Sequence, residues 1–580
     1  MKEVLILNLT RMGDLIQTTP VIQGIKECYP ECRITLVVNG LFEKICSFIP
    51  YVDDVIVFDM KEFQTIACGG AGIVEQYRYA EDFIKNINSR RYDLAINFTH
   101  SRPSAVLLAL SDADDRRGFM VDSEGNSIIR YPWMKYFFNV IPNRDFNSFH
   151  LSDIYVKSGG FIPVKKGLHL NVPQSAKDDI RNLLQSCQIS DSDTLIAMQL
   201  GASAEDKRWT AASFAALADK LFEEKGMKIV LVGTGSEEGL GREFELSARS
   251  RSLNLIGKTD LSQLTALLHR CDMLVSNDTG PLHIATAVGT KVLDISVASV
   301  HFRETGPYGE NFYVIQSELS CCPCSFYNTC KNPVCKDTVT PDNVYSLVCS
   351  ILNNDKNLES IQESDLWKNV QVYRSYFEDD GLIEYRPLIK RPVSRHVLYS
   401  HIFRQTWLRI LDVDRPSDPF GTIYEPSVIE AVSEAIFTRL VKLMEEWYND
   451  EISGEFLVSI DEEISSLRRL KELAEEGFIR VSLIGTEARK LSPDVSRIKD
   501  LWSVVPDIDE EIDKIGNIFT SIHPLTVIFS YGRSGLEGSD LKILTAETAR
   551  LYDELRVHVS MVLSVIDKIL NRYSDKAVVK

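Results

Sequence analysis

Residues 4–20 read VLILNLTRMGDLIQTTP: an apolar run, a polar turn that contains Gly13, and the start of a helix-like stretch. Apolar runs at 34–38, 55–58 and 94–98 continue the pattern, with helix-length amphipathic stretches between them. Short buried strands that alternate with helices are typical of a parallel sheet with crossover helices. Residues 1–165 are therefore predicted to form one parallel α/β domain.

The same pattern restarts near residue 195. Apolar runs at 195–199, 228–232, 255–256, 273–276 and 292–295 are predicted strands, and 211–225 and 261–270 are predicted helices. Residues 166–352 are accordingly predicted to form a second domain of the same class. Two such domains in tandem leave a cleft beside the carboxyl ends of their strands, which is where open α/β sheets bind ligands.

The last part of the chain, residues 353–580, has a different periodicity. Apolar residues recur there at spacings of three and four, as in Ile429, Val432, Ile436, Leu440, Leu443 and Trp447, and in Leu551, Leu555, Val559, Val562, Ile566 and Ile569. Such spacings indicate amphipathic helices, each with one apolar face to bury. A helical bundle is therefore predicted as an α-helical C-terminal extension.

Charge and composition limit the class of protein. The 580 residues carry a formal charge of −18, which disfavours nucleic acid as a partner. No stretch reaches the roughly 20 consecutive apolar residues that span a bilayer. The chain is therefore expected to be cytoplasmic, and its 12 cysteines are expected to be thiols or metal ligands rather than disulfides.

Three segments are candidates for carrying chemistry, and the first is the turn with Gly13 and Asp14. The turn follows a predicted strand and opens a predicted helix, so Asp14 is expected at the mouth of the cleft. An aspartate in the first turn of a helix is also favoured by the helix dipole alone. From spacing alone, that structural role is the favoured interpretation.

The other two segments follow strands of the second domain. In the loop 199–209, Lys207 and Arg208 precede a predicted helix and suit a phosphate group, although two solvated surface cations explain them equally well. The run Ser276-Asn277-Asp278-Thr279-Gly280-Pro281-Leu282-His283 leads from a strand into a helix. Backbone N–H groups at a helix start suit an anion, so ligand binding is favoured for this turn.

Together the three segments resemble glycosyltransferase family 9, the bacterial ADP-heptose heptosyltransferases. Two further landmarks occur in the family's order, Arg117-Gly118-Phe119 and Gly306-Pro307-Tyr308-Gly309, and the likeness spans residues 1 to about 352. The resemblance implies a GT-B fold, in which two Rossmann-like parallel-sheet domains face a cleft. It also implies an inverting, metal-independent transfer of a sugar from a nucleotide diphosphate carrier.

The resemblance assigns roles to single residues. Asp14 corresponds to the catalytic base, and the donor-binding residues implied are Gly13, Ser203, Lys207, Asp278, Thr279, Gly280 and His283. No cofactor is required for catalysis on this scheme. The chain departs from the family after residue 295, where a Gly-Pro-Thr turn is replaced by Ser296-Val297-Ala298-Ser299-Val300-His301-Phe302-Arg303. Heptose is the expected donor sugar, but this departure leaves its identity open.

A cysteine-rich loop at 318–337 is a candidate metal site. Cys321 and Cys324 have a chelating spacing, and Cys330 and Cys335 complete a set of four thiolates for a structural zinc or iron. A reduced loop without metal is the alternative. Because the loop follows the donor-site motifs, a structural role is expected for any metal bound there.

The acceptor and the role of the helical extension stay open. The acceptor choices are a lipopolysaccharide core, another cell-surface or lipid-linked glycan, and a protein side chain. The extension is compatible with homo-oligomerisation and with acceptor binding, and a basic stretch from Arg386 to Arg409 is compatible with peripheral membrane contact or with a solvated surface.

Two competing functions fit the same fold class. One is a sugar-nucleotide epimerase, and the other is a non-catalytic scaffold that combines a degenerate transferase core with a partner-binding helical domain. The presence of Asp14, Lys207 and Asp278 together favours the transferase.

Overall fold

A computed structural model describes all residues except 60, 64, 66–71, 141–143, 145, 320, 325–329, 355–357, 359–360, 413–424, 455–459, 537–539 and 574–580. The described strands are β1 Glu3–Asn8, β2 Arg33–Asn39, β3 Asp54–Phe58, β4 Tyr92–Asn97, β5 Ala113–Val121, β6 Ser127–Arg130, β7 Leu195–Gln199, β8 Lys228–Val232, β9 Leu253–Asn254, β10 Met273–Asn277, β11 Lys291–Ser296, β12 Tyr313–Ser317, β13 Val370–Phe377 and β14 Ile383–Pro387.

Helices connect the strands and make up most of the C-terminal region. Up to residue 352 they are α1 Met12–Ile16, α2 Thr19–Cys28, α3 Glu43–Cys46, α4 Ile73–Ile87, α5 Arg102–Leu110, α6 Pro132–Val140, α7 Leu151–Gly159, α8 Gln174–Ser186, α9 Ala211–Lys225, α10 Glu238–Ser247, α11 Leu261–Arg270, α12 Gly280–Ala287, α13 Phe302–Thr305, α14 Cys335–Thr338 and α15 Pro341–Leu352. After residue 390 they are α16 Arg395–Leu411, α17 Pro426–Trp447, α18 Ile460–Ala488, α19 Val495–Trp502, α20 Val505–Ile518, α21 His523–Ser534 and α22 Leu541–Tyr573.

The strands form two sheets. The N-terminal sheet has the order β3-β2-β1-β4-β5-β6, with parallel pairing among its first four strands and an antiparallel β5–β6 pair. The C-terminal sheet has the order β14-β13-β12-β11-β10-β7-β8-β9, and β13 and β14 are its antiparallel strands. The predicted fold class, two parallel-dominant sheets followed by helices, is confirmed.

The structure differs from the sequence-based expectation in two places. The predicted strand at 255–256 lies two residues earlier, at Leu253–Asn254, and Leu255 and Ile256 are instead buried in the turn that follows. The segment 370–387, which falls in the region predicted to be helical, forms β13 and β14. Along β13, Val370 and Val372 face the apolar core with a period of two, which is the period of a strand.

The described residues divide into two compact units, each discontinuous in sequence. The first comprises residues 1–116 and 149–390, and the second comprises residues 117–148 and 391–580. The first unit contains the strands β1 to β4 and β7 to β14. The boundaries at 165 and 352 stay predictions.

The core of the first unit positions the site. Leu293 and Ile295 of β11 pack on one face of the C-terminal sheet with Phe214 of α9, whereas Asp294 between them lies on the opposite face. The carboxyl ends of β7, β8 and β10 are adjacent in this sheet. The loops that follow these three strands are therefore neighbours.

The second unit is built around its two longest helices, α18 and α22, which pack along each other. Buried carboxylates link its elements: Glu463 accepts a hydrogen bond from Tyr399 Oη at 2.6 Å, and Asp509 accepts one from Tyr552 Oη at 2.5 Å. In the part of the chain that the structure describes, none of the helices combines the length and the apolar character needed to cross a membrane.

Candidate active site

The first candidate residues lie on the turn after β1. This strand ends at Asn8, and α1 begins at Met12, which puts Asp14 in the first helical turn. Asp14 Oδ2 accepts a hydrogen bond from the Arg11 backbone N–H at 3.2 Å. Burial raises the pKa of Asp14 above its ordinary value, although the hydrogen bonds from Arg11 and from the Thr10 hydroxyl act in the opposite direction. A carboxylate with a raised pKa is a stronger base, which suits general-base catalysis.

The second turn follows β10 in the C-terminal sheet. The strand ends at Asn277, and α12 begins at Gly280 with Thr279 as its N-cap residue. The N–H groups in the first turn of a helix have no carbonyl partners within the helix, and the helix dipole adds positive potential there. A helix start of this kind suits an anion, and the binding of a ligand at this turn stays a prediction. Asp278 lies at the start of this turn, where Thr305 Oγ1 donates to its Oδ2 at 3.4 Å.

These two turns lie against each other. A Cβ atom on Gly13 would lie 2.8 Å from His283 Cδ2, and a Cβ atom on Gly280 would lie 2.8 Å from Met12 Cε, so both glycines allow the close approach. Gln17 Nε2 is 3.3 Å from His283 Nε2. Burial lowers the pKa of His283 to about 4, so the ring is neutral at physiological pH and Nε2 can accept from the Gln17 amide. His283 thus packs against the Gly13-Asp14 turn, and a contact between His283 and the donor stays a prediction.

The third candidate segment is held beside the second turn by Asn277. Its Nδ2 donates to the carbonyl groups of residues 200–201 at 2.9 and 3.2 Å, and its Oδ1 accepts from the Trp209 backbone N–H at 2.9 Å. Both ends of the loop that carries Ser203 and Lys207 are fixed in this way. Ser203 is exposed and Lys207 is half-buried. Sequence reasoning did not single out Asn277, because an asparagine at a strand end has many ordinary explanations.

Glu237 is a further polar residue of the site that sequence reasoning missed. Its carboxylate accepts hydrogen bonds from Gln199 Nε2 at 2.9 Å and from the Thr234 backbone N–H at 2.6 Å. A Cβ atom on Gly201 would lie only 1.4 Å from Glu237 Oε1, so the carboxylate occupies the space that a side chain would fill. A carboxylate fixed at the carboxyl ends of β7 and β8 can accept hydrogen bonds from ligand hydroxyl groups. The only local signal was the acidic pair that follows the Gly-Thr-Gly run at 233–235.

Comparison with known proteins identifies the domain that carries these turns. Residues 81–334 match the family model of glycosyltransferase family 9 (heptosyltransferase). The chain carries a family 9 glycosyltransferase domain. The resemblance noted from the sequence is thereby confirmed, and the protein is a glycosyltransferase.

Individual relatives cover more of the chain than the family model does. A lipopolysaccharide core heptosyltransferase of Haemophilus influenzae is 26% identical over 315 residues, which cover 53% of this chain and 82% of the relative. Lipooligosaccharide heptosyltransferase 2 of Campylobacter jejuni is 23% identical over 355 residues, or 60% of this chain and 97% of the relative. The crystal structure of a family 9 glycosyltransferase from Veillonella parvula matches at a TM-score of 0.50 and 21% identity, covering 61% of this chain and 98% of that one. The predicted GT-B fold is confirmed.

The cysteine-rich loop lies near the end of the family 9 domain. Cys322, rather than Cys321, forms a hydrogen bond with Cys335, and this bond lowers the pKa of Cys335 to about 6. Cys335 is buried, whereas Cys321 is exposed. Among the described residues, no three or more His, Cys, Asp or Glu side chains are grouped so that they could hold a metal ion. A site built from Cys321, Cys324, Cys330 and Cys335 stays a prediction.

Two of these cysteines, Cys322 and Cys324, contact the segment that follows β11. The carbonyl oxygen of Ala298 accepts from the Cys324 backbone N–H at 2.8 Å and from Cys322 Sγ at 3.8 Å. Ala298 has a φ of 54°, a left-handed conformation that costs a residue with a Cβ atom some free energy. These hydrogen bonds hold Ala298 in that conformation.

Proposed function

We propose that this glycosyltransferase moves a heptose from ADP-heptose onto a cell-surface glycan such as a lipopolysaccharide core, by an inverting and metal-independent reaction. The relatives in Haemophilus influenzae and Campylobacter jejuni are heptosyltransferases of lipopolysaccharide core and of lipooligosaccharide, which supports both the sugar and the acceptor class. The observation that carries the proposal is the direct contact between the Gly13-Asp14 turn and the Gly280–Ala287 helix. It brings a carboxylate of raised pKa next to a helix start that suits a diphosphate.

Asp14 acts as the general base in this reaction. It removes the proton from an acceptor hydroxyl as that oxygen attacks the anomeric carbon from the face opposite the diphosphate. The new glycosidic bond forms while the bond between the anomeric carbon and the diphosphate oxygen breaks, so the configuration inverts. The burial that raises the pKa of Asp14 increases its affinity for that proton.

The leaving diphosphate is stabilised by the protein itself. The N–H groups at the start of α12 supply fixed dipoles, and Lys207 supplies a positive charge from the loop that Asn277 holds beside them. Negative charge develops on the diphosphate as it leaves, and these donors already surround it. No divalent metal is therefore chemically required. Glu237 lies on the β8 side of the diphosphate position, where it can accept hydrogen bonds from the nucleoside.

A binding titration tests the donor half of the proposal. Purified protein is titrated with ADP, UDP, GDP and the corresponding sugar nucleotides, with and without EDTA. We expect selective binding of the adenine nucleotides that EDTA does not change. If the protein binds no nucleotide, the proposal is wrong; if it prefers UDP or GDP, the donor assignment is wrong.

Three variants then separate binding from chemistry. Lys207→Ala is expected to weaken ADP binding by about tenfold or more, since it removes a charge-assisted contact. Asp14→Asn is expected to leave binding intact and to lower kcat by about 10²–10⁴-fold on a lipopolysaccharide-core acceptor. Lys225→Ala, an exposed lysine at the end of α9, is the matched control for loss of charge. Full activity of Asp14→Asn would exclude Asp14 as the base.

A further inference from the structure

The β13–β14 hairpin lies outside the residues matched by the family model, which end at 334. It extends the C-terminal sheet beyond β12 by antiparallel pairing. Its side chains contact the loop 302–309, which follows β11 and contains the family landmark Gly306-Pro307-Tyr308-Gly309. The hairpin and this loop belong to the same compact unit.

Two hydroxyl groups of the hairpin hold carbonyl groups of the loop. Ser375 Oγ donates to the Gly309 carbonyl at 2.6 Å, and Tyr385 Oη donates to the Pro307 carbonyl at 3.2 Å. Both residues are almost completely buried, so these carbonyls are not left to water. Buried hydrogen bonds of this kind hold the loop in one conformation.

An ion pair connects the hairpin to the start of the loop. Arg303 Nε lies 3.9 Å from Glu384 Oε1, and the two side chains are only 16% and 3% exposed. The Arg303 guanidinium also lies 5.0 Å from the centre of the Tyr373 ring, which is on β13. Glu384 is itself held, because its Oε1 accepts from the Tyr385 backbone N–H at 3.0 Å. The hairpin therefore fixes Arg303 through both a charge and an aromatic face.

A third attachment comes from α7. Asp153, which is fully buried, accepts from Tyr308 Oη at 2.8 Å and from the Ile383 backbone N–H at 3.1 Å. One carboxylate thus joins the loop to the hairpin. His150 Nε2 donates to the Gly306 carbonyl at 3.0 Å, while its Nδ1 accepts from a backbone N–H.

The loop also reaches the site, through the hydrogen bond from Thr305 to Asp278. In the sheet, β11 lies on one side of β10, and β7 and β8 lie on the other. A nucleotide sugar whose diphosphate sits at the start of α12, and whose nucleoside lies toward Glu237, extends its sugar toward the loop after β11.

We propose that the β13–β14 hairpin is a structural part of the donor-sugar subsite, with Glu384 as a positioning residue that acts through Arg303 and Thr305 on Asp278. The hairpin sets the affinity for the sugar of the donor without contacting it. This inference rests on the proposed function.

The test compares two variants of the full-length chain. Glu384→Gln keeps the acceptor for the Tyr385 backbone N–H but removes the charge that holds Arg303. We expect it to raise the KM for the nucleotide sugar about tenfold, which is the size of effect of one charged contact, and to leave the Kd for ADP unchanged. Tyr376→Phe is the matched control, because it removes a hairpin hydroxyl that bonds to Glu378 at 2.6 Å rather than to the loop.

A double-mutant cycle with Thr305→Val shows whether the effect passes through the loop. If Glu384 acts through Thr305, the two changes raise the donor KM less together than the product of their separate effects. Equal effects of Glu384→Gln and Tyr376→Phe, independent effects in the cycle, or a parallel loss of ADP binding would each overturn the inference. Failure of the wild-type protein to bind any nucleotide sugar would instead overturn the proposed function, so the two failures are distinguishable.

Discussion

Burial of the Asp14 carboxyl group raises its pKa. A group whose pKa is higher in the folded than in the unfolded state binds protons more tightly when folded. The ionised form of Asp14 therefore lowers the stability of the fold at neutral pH. This loss of stability disappears as the pH falls below the ordinary pKa of an aspartate. The same burial that makes Asp14 a better base thus makes the fold less stable at the pH where the base works.

At the residue scale we therefore expect Asp14→Asn to stabilise the protein at pH 7 while it lowers activity. An asparagine is neutral and can still accept the hydrogen bond from the Arg11 backbone. The free energy of unfolding, measured by urea titration at several pH values, should be higher for the variant at pH 7, and the difference should shrink toward zero as the pH falls below 4. A variant that is less stable at pH 7 would show that burial of the charge is not the main cost at this position.

At the scale of elements, the sequence predicted strands and helices wherever one local pattern was decisive. The strands at 195–199 and 228–232 have the predicted bounds, and the helix Pro426–Trp447 contains all six residues of its predicted apolar stripe. The hairpin at 370–387 was not predicted. It lies in the region whose apolar spacing indicated helices, and its pairing with β12 joins residues 53 to 61 positions apart.

The candidate site was predictable to the same degree. The turns with Asp14, Lys207 and Asp278 follow predicted strands, and the structure brings the Asp14 and Asp278 turns into contact. The residues that hold them could not be read from local sequence. Asn277 and Gln17 act only through groups that are far away in the chain, so no spacing rule indicates their role.

Helices α18 and α22 pack closely where Gly477 lies against the Tyr552 ring. A Cβ atom on Gly477 would lie 2.3 Å from Tyr552 Cε1, so we expect Gly477→Ala to destabilise the second unit by about 1–3 kcal/mol, as overpacking does. Gly239→Ala is the control, because a Cβ atom there meets nothing within 4 Å. The control should be neutral or stabilising by up to about 1 kcal/mol, as replacement of a helical glycine usually is.

Thermal and urea unfolding of both variants measure this difference. The clash should also disappear in a Tyr552→Ala background, where Gly477→Ala is expected to become neutral or stabilising. An equal loss of stability from Gly477→Ala in both backgrounds would show that Tyr552 is not the cause.

At the scale of the whole molecule, the two compact units are both interrupted in sequence. Residues 117–148 belong with the C-terminal helices, although they lie within the part of the chain that resembles family 9. Trp133 Nε1 donates to Asp412 Oδ1 at 2.8 Å, and the Tyr136 ring lies 6.3 Å from the Trp407 ring. Local patterns cannot reveal this grouping, because it depends on contacts between residues more than 250 positions apart.

This grouping predicts what removal of the C-terminal helices does to the rest of the chain. A protein cut after residue 352, the boundary predicted from the sequence, keeps residues 117–148 but loses the helices on which they pack. Trp133 and Tyr136 are almost fully buried in the intact protein and become exposed in the truncated one. The Ser148 carbonyl also loses the hydrogen bond that it accepts from Arg404. We expect the truncated protein to aggregate or to bind a hydrophobic dye strongly, as measured by size-exclusion chromatography and dye fluorescence. Supplying residues 353–580 as a separate chain, which returns both the β13–β14 hairpin and the helices, should restore a monodisperse complex. A truncated protein that is monodisperse and binds ADP like the full chain would instead establish residues 353–580 as an independent extension.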